Sequence, residues 1–271
     1  GYLSWRKNRR KKFLPAVLDK LTASIQAENA DQVLLTGDLI QIGLESEIAQ
    51  AAAWLQRFGP GEQIMLVPGN HDTYASDSAD NVRQSWSRYL FDADQQDPNA
   101  MSDGFPVVRR LGNLSLIGLS SACVSPTFMA TGKLGEDQLN RLAGLLQQAA
   151  DEGHWVCLLI HHPPLPGMTH WRKDLKDADA LEALLARHPP MLIFHGHLHH
   201  NRELQWGDSR IYCTAAASSV SESSYRVIDI EGRDKEWGFR SALKSIAIND
   251  SGELEFATVD EQAWRVPKNT N

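Results

Sequence analysis

Apolar positions along the chain alternate between two spacings. From residue 13 to 27, Leu14, Val17, Leu18, Leu21 and Ile25 recur at helical intervals and predict a helix. Residues 32–36 form a short apolar run, predicting a buried strand that ends at Gly37-Asp38. The alternation then repeats. A helix is predicted over 45–58, closed by Gly59-Pro60, then a strand over 63–67 ending at Pro68-Gly69-Asn70-His71-Asp72, then a helix over 80–91. Strands over 105–109 and 114–120 turn at Gly112-Asn113. A helix over 136–150 precedes a strand over 155–160 that ends at His161-His162-Pro163-Pro164. A helix over 177–187 precedes a strand over 191–194 that ends at His195. Beyond His200 the pattern changes to strands without helices, over 201–206, 209–214, 223–230 and 236–248, and residues 262–271 read as a loose tail. A βα half followed by a β-meander predicts a layered α/β fold with mixed sheets, as one domain over residues 1–261.

The strand ends share a chemistry. Four apolar strands run into Asp38, Asn70-His71, His161-His162 and His195-Gly196-His197-Leu198-His199. Open α/β sheets place ligands outside the carboxyl ends of their strands, so four such ends predict one converging site. A carboxylate, an amide oxygen and several imidazoles suit borderline metals such as manganese, iron or zinc. The three cysteines, Cys123, Cys157 and Cys213, lie outside these loops and form no C-x-x-C pair. That argues against a structural zinc site and a disulfide scaffold, and it places the chain in a reducing, cytoplasmic compartment. His161 and His162 compete for one ligand position, and His161 is preferred because it follows the strand directly.

These residues carry a resemblance. Gly37-Asp38, Gly69-Asn70-His71-Asp72, His161 after a strand, and Gly196-His197-Leu198-His199 resemble, in order, four motifs of the calcineurin-like metallophosphoesterase family. The resemblance spans roughly residues 13–215. The His-His-Pro-Pro form and the size look most like bacterial class III cyclic-nucleotide phosphodiesterases. The resemblance implies an αββα sandwich of mixed sheets flanked by helices. It implies two metal ions, manganese, iron or zinc, with Asp38 bridging them, Asn70, His161 and His197 completing one, and His199 binding the other. It implies that His71 reaches the substrate phosphate and protonates the leaving group, with Asp72 supporting the loop. His162 and His195 are candidates for contact with the ligands or the substrate.

The family opens with Asp-x-His at the end of its first strand, and no such pair precedes Gly37. A missing strand would leave unpaired backbone groups in a buried sheet, so a native segment upstream of Gly1 is expected to carry the motif. Taken literally, the chain is expected to hold one metal well and the second poorly.

The charge is asymmetric. Of 27 basic residues, Arg6, Lys7, Arg9, Arg10, Lys11 and Lys12 cluster at the start; the other 21 face 34 acidic residues, a balance of −13. A basic patch on an acidic body suits an anionic small substrate or a peripheral membrane contact, and it disfavours nucleic acid, which the body would repel. Arg6, Lys7, Arg9 and Arg10 are the candidates for steering substrate. The expected activity is hydrolysis of a phosphodiester, cyclic-nucleotide-like or related, by metal-hydroxide attack. The alternatives are a lipid-linked pyrophosphate hydrolase of the UDP-diacylglucosamine type and an inactive scaffold that binds a protein partner.

Overall fold

A computed structural model of the chain describes residues 14–73, 76–91, 104–126, 129–232 and 236–267. In chain order, the helices and strands of its first part are α1 (Pro15–Ala27), β1 (Val33–Leu35), α2 (Glu45–Phe58), β2 (Ile64–Leu66), α3 (Ser76–Ser85) and α4 (Ser87–Leu90). The middle holds β3 (Val107–Leu111), β4 (Leu114–Gly118), α5 (Glu136–Asp151), β5 (Trp155–Leu159), α6 (Ala178–Leu185) and β6 (Leu192–His195). The last part holds β7 (Arg202–Trp206), β8 (Ser209–Cys213), β9 (Ser224–Gly232), β10 (Glu236–Ile248) and β11 (Leu254–Pro267).

The chain divides into two compact units. The first takes in Asp31–Leu198 and Arg202–Cys213. It contains a six-stranded mixed sheet in the order β3-β4-β5-β6-β8-β7 and a two-stranded parallel sheet, β1-β2. Strands β4, β5, β6 and β8 run parallel, and β3 and β7 close the edges antiparallel. Parallel strands need both faces covered, which explains their near-continuous apolar runs. On one face, Leu142, Leu146 and Ala149 of α5 and Leu181, Leu184 and Leu185 of α6 pack on Ile117, Leu158, Ile193 and Ile211. Those positions recur three and four residues apart, so each helix turns one apolar stripe to the sheet. The two sheets also meet. A Cβ on Gly118 of β4 would lie 2.8 Å from the Met65 side chain of β2. Arg109 of β3 donates to the Gln32 side chain at 3.2 Å and to the Glu62 carbonyl at 3.3 Å.

Two expectations are corrected within this unit. The predicted helix over 80–91 is two helices, α3 and α4, broken at Trp86. The indole is fully enclosed and donates to the Ile48 carbonyl at 3.1 Å, so burying the ring on α2 outweighs continuing the helix. Strands β7 and β8 also leave the predicted meander. Ile211, Tyr212 and Cys213 of β8 are all buried, and the strand completes the parallel core beside β6.

The second unit comprises described residues 14–30, His199–Asn201 and 214–267. Its β9, β10 and β11 form an antiparallel sheet in the order β11-β10-β9, with α1 packed against β9 and β11. Residues 262–267 therefore belong to a 14-residue strand, not to a loose tail. Trp264 stacks on Phe239 of β10 with ring centroids 5.0 Å apart, which ties that end of β11 to the sheet.

Candidate metal centre

The loops after β1 and β2 interlock. Gly37 and Asp38 both adopt left-handed backbone conformations, with φ of 91° and 61°. A Cβ on Gly37 would sit 2.4 Å from the Gly69 nitrogen, and one on Gly69 would sit 2.2 Å from Asp38 Oδ1. Only glycine permits this approach at either position. The Asp72 carboxylate then staples the loops. It accepts the backbone N–H groups of Asp38 and Gly69 at 2.8 Å each and that of Ile40 at 3.3 Å. Burial, then the charge of Asp38, push the Asp72 carboxyl up to about 7, while the Gly69 and Asp38 donors pull it back.

Four side chains from four loops meet around one atom, Nε2 of His161. Asn70 Oδ1 and His197 Nδ1 each lie 3.2 Å from it, and Asp38 Oδ2 lies 3.4 Å away. The opposite nitrogen of the same ring, Nδ1, donates to the Thr36 carbonyl at 2.5 Å. That bond fixes one proton on Nδ1, so in the neutral ring Nε2 carries a lone pair. With that ring neutral, a carboxylate oxygen, an amide oxygen and two imidazole nitrogens turn electron pairs toward one point, an arrangement a cation would satisfy. The His197 loop is equally constrained. His197 has φ of 67°, the Gly196 N–H donates to the His161 carbonyl at 3.0 Å, and Cys213 Sγ lies 3.3 Å from the Gly196 carbonyl.

Charge in the cluster divides sharply. Burial would raise the Asp38 carboxyl, but the charge and hydrogen bond of His161, followed by His71, hold it well below the usual carboxylate range. Burial would lower the His161 imidazole, and Asp38 raises it past its ordinary value. Burial, then the charge of His161, take His162 down to about 3. Burial, His162 and His161 push His197 far down. His162 and His197 are therefore neutral rings at neutral pH, the form a metal ligand requires. Oxygen and imidazole donors without thiolate fit a borderline divalent ion.

The remaining predicted residues fall around this cluster or away from it. His71 is buried, and its Nδ1 donates to the Gln41 carbonyl at 2.7 Å. His162 is brought beside His161 and His197, and one ligand atom from each of the three lies within 4.8 Å of the others. His195 is buried at the end of β6, with Nδ1 3.1 Å from the Gly196 carbonyl. His199 has φ of 60° and falls in the second unit. Arg6, Lys7, Arg9 and Arg10, with Lys11 and Lys12, lie outside the described residues. Three groups escaped sequence reasoning: the Thr36 and Gln41 carbonyls and the Ser121 hydroxyl, which lies 2.8 Å from His162 Nδ1. Backbone carbonyls leave no mark in a side-chain pattern. Ser121 carried no signal that would have found it.

An oxygen-and-imidazole cluster at the carboxyl ends of parallel strands defines a metal-binding α/β protein. The family described as calcineurin-like phosphoesterase matches residues 10–201, and the chain belongs to that family. It is thus a metallophosphoesterase, a hydrolase of phosphoric esters, and the family implies two metal ions. Among solved structures, a dimetal phosphatase from Danio rerio is 15% identical, with 93% of this chain and 90% of that chain covered and a TM-score of 0.63. GAP50 of Plasmodium, described as the anchor in the inner membrane complex, is 11% identical, with 90% and 81% covered and a TM-score of 0.50. At these identities the likeness is one of fold. Curated protein sequences give no match. Among the described residues, no helix is long and apolar enough to cross a membrane.

Proposed function

We propose that Asp38, Asn70, His161 and His197 hold one metal ion and that the centre hydrolyses a phosphodiester. The observation that carries this reading is the approach of Asp38 Oδ2, Asn70 Oδ1 and His197 Nδ1 to within 3.4 Å of His161 Nε2. Where two ions bind, Asp38, with its two carboxylate oxygens, would be the ligand they hold in common. Bound ions of this kind supply Lewis-acid stabilisation of phosphoryl oxygens and an activated water. Manganese, iron and zinc all accept this donor set.

The chain's own residues do the rest. Asp72 fixes both loops through backbone donors, which sets Asp38 and Asn70 before substrate arrives. His71 holds one proton on Nδ1 against the Gln41 carbonyl, and its Nε2 would carry the proton delivered to the leaving oxygen. His-His-Pro-Pro at 161–164 supports a cyclic-nucleotide-like diester. So does Trp171, 54% exposed, with the Arg172 guanidinium 5.0 Å from its ring centroid. Its segment is tied to the site's wall: Ala130 and Gly132 donate to the Arg172 and Asp174 carbonyls, and a Cβ on Gly132 would meet the His162 ring. A flat base stacked there is held by its π-face and by cationic charge. The basic cluster at residues 6–12 is proposed to steer the anionic substrate in a cytoplasmic setting.

The test is direct. Metal-loaded protein should cleave bis-nitrophenyl phosphate faster than nitrophenyl phosphate, and the Asp38→Ala variant should cleave neither. Preference for the monoester would overturn the diester reading. Absence of activity on any ester, together with retained fold, would favour a protein-binding scaffold.

A further inference from the structure

The ring of His162 lies in the cluster, yet the four-residue ligand set has no use for it. It is wholly enclosed. Gly132 lies flat against it, where a Cβ would sit 2.4 Å from Nδ1. Ser121 Oγ lies 2.8 Å from Nδ1 and also accepts the backbone N–H of His162 at 3.3 Å. Among the described residues, two buried nitrogens of this cluster make no hydrogen bond: Nε2 of His162 and Nε2 of His197. They belong to neighbouring rings, with centroids 4.5 Å apart. An unsatisfied buried polar atom costs about 1–3 kcal/mol, so two on adjacent rings call for a partner in common.

Proton placement supplies it. If His197 ligates through Nδ1, the atom facing His161, that nitrogen carries the lone pair and the ring's proton sits on Nε2. This N–H needs an acceptor. His162 offers one when its own proton is on Nδ1, donated to Ser121 Oγ. We propose that His162 is a positioning residue: its Nε2 accepts the Nε2–H of His197 through one bridging water, with its own proton on Nδ1 facing Ser121 Oγ. The inference rests on the metal-centre reading above. Ligating imidazoles regularly donate their second N–H to an outer partner, and losing that partner costs about 10–100-fold in metal affinity. Here the outer partner is a second imidazole, supplied by the adjacent residue of the same loop as His161.

The experiment is a calorimetric titration of the full chain with manganese ion, with the thermal midpoint of each metal-free variant recorded beside it. His162→Leu fills the space and removes the acceptor; it should weaken manganese binding by about 10–100-fold. His162→Gln restores an acceptor oxygen and should return the affinity to within about threefold of the parent, a rescue that packing alone would not produce. Ser121→Ala should weaken binding by about 3–10-fold, through loss of the Oγ that Nδ1 faces. Parent affinity in His162→Leu, or equal loss in the Leu and Gln variants, overturns the inference. Should His162→Leu fail to fold, unchanged affinity in Ser121→Ala overturns it instead. Asp38→Ala separates the two levels. If manganese still binds that variant, the centre itself is wrong. If Asp38→Ala abolishes binding and His162→Leu does not change it, only the role of His162 is wrong.

Discussion

The backbone N–H of His71 donates to Oδ1 of Asp38 at 2.8 Å. One hydrogen bond therefore joins the carboxylate proposed to be shared by the metals to the residue proposed to carry the leaving-group proton. The other carboxylate oxygen, Oδ2, faces His161 at 3.4 Å, so Asp38 links three motifs through two atoms. Asparagine at position 38 keeps an acceptor for the His71 N–H but removes the charge. Asp38→Asn should lose metal yet unfold near the parent temperature, whereas Asp38→Ala should lose metal and unfold earlier. Elemental analysis with a thermal melt reads both. Full metal content in Asp38→Asn would show that its charge is not what holds the ion.

His71 itself has no place among the four atoms gathered at His161. Its ring is held by the Gln41 carbonyl, three residues beyond Asp38 on the loop after β1. His71→Ala should keep the parent metal content and lower kcat by about 10²–10⁴-fold, the range for a lost general acid. Equal metal loss in His71→Ala and Asp38→Ala would make His71 a ligand.

The strand-end clusters were legible because ligand chemistry leaves little choice of residue. Oxygen and imidazole donors on short loops after apolar runs stand out against the turn residues that usually end strands. The helices α2 and α5 were equally plain, since each buries one stripe at a helical period. The rest was hidden for physical reasons. Strand β11 carries Asp260, Glu261 and Gln262 in mid-strand; its pairing with β10 and the Trp264–Phe239 stack hold it, and neither shows in local hydropathy. The break at Trp86 depends on a contact with Ile48, 38 residues away in the chain. Sequence set His161 and His162 against each other for one place, when the fold gives both rings a position in the cluster. Thr36 and Gln41 act through carbonyls that every residue possesses.

Glycines in the site and outside it should respond oppositely to alanine. A Cβ at position 69 would lie 2.2 Å from Asp38 Oδ1 and 2.5 Å from the Asp38 nitrogen. The backbone is pinned by Asp72, so the conflict falls on the carboxylate. Gly69→Ala should lower stability by about 1–3 kcal/mol, the usual cost of overpacking, and reduce metal content as well. Gly144 on α5 has nothing within 4 Å of its added Cβ. Gly144→Ala should raise stability by about 0.5–1 kcal/mol and leave metal content alone. Urea unfolding of the metal-free proteins measures both. A neutral Gly69→Ala would mean the loops are less tightly interlocked than the geometry requires.

In the second unit, Glu28 at the end of α1 is the acceptor for two strands. Its Oε1 takes the Tyr225 hydroxyl of β9 at 2.7 Å and the Lys244 ammonium of β10. Tyr225 Oη also lies 2.7 Å from Ser24 Oγ, so α1 grips the sheet through a small polar network. Burial works to raise the Glu28 carboxyl, but the hydrogen bonds from Lys244 and Tyr225 and the Lys244 charge leave it below its ordinary value. A carboxyl lowered on folding gives stability that is fully present above its unfolded value, near 4.3, and is lost as pH falls through the folded value. Hydrogen bonds to charged groups contribute about 1.5–3 kcal/mol, and the partial exposure of Glu28 places its share toward the lower end. Glu28→Gln should therefore destabilise the protein by about 1–2 kcal/mol at pH 7, where the parent carboxylate is ionised. The difference should shrink as pH drops below the unfolded value near 4.3 and close once pH falls below the lowered folded value, where the parent also loses its charge. Chemical unfolding of parent and variant at a series of pH values from 7 to about 3 gives that difference directly. A gap that stays constant across the series would show that the carboxylate charge contributes nothing beyond a neutral acceptor.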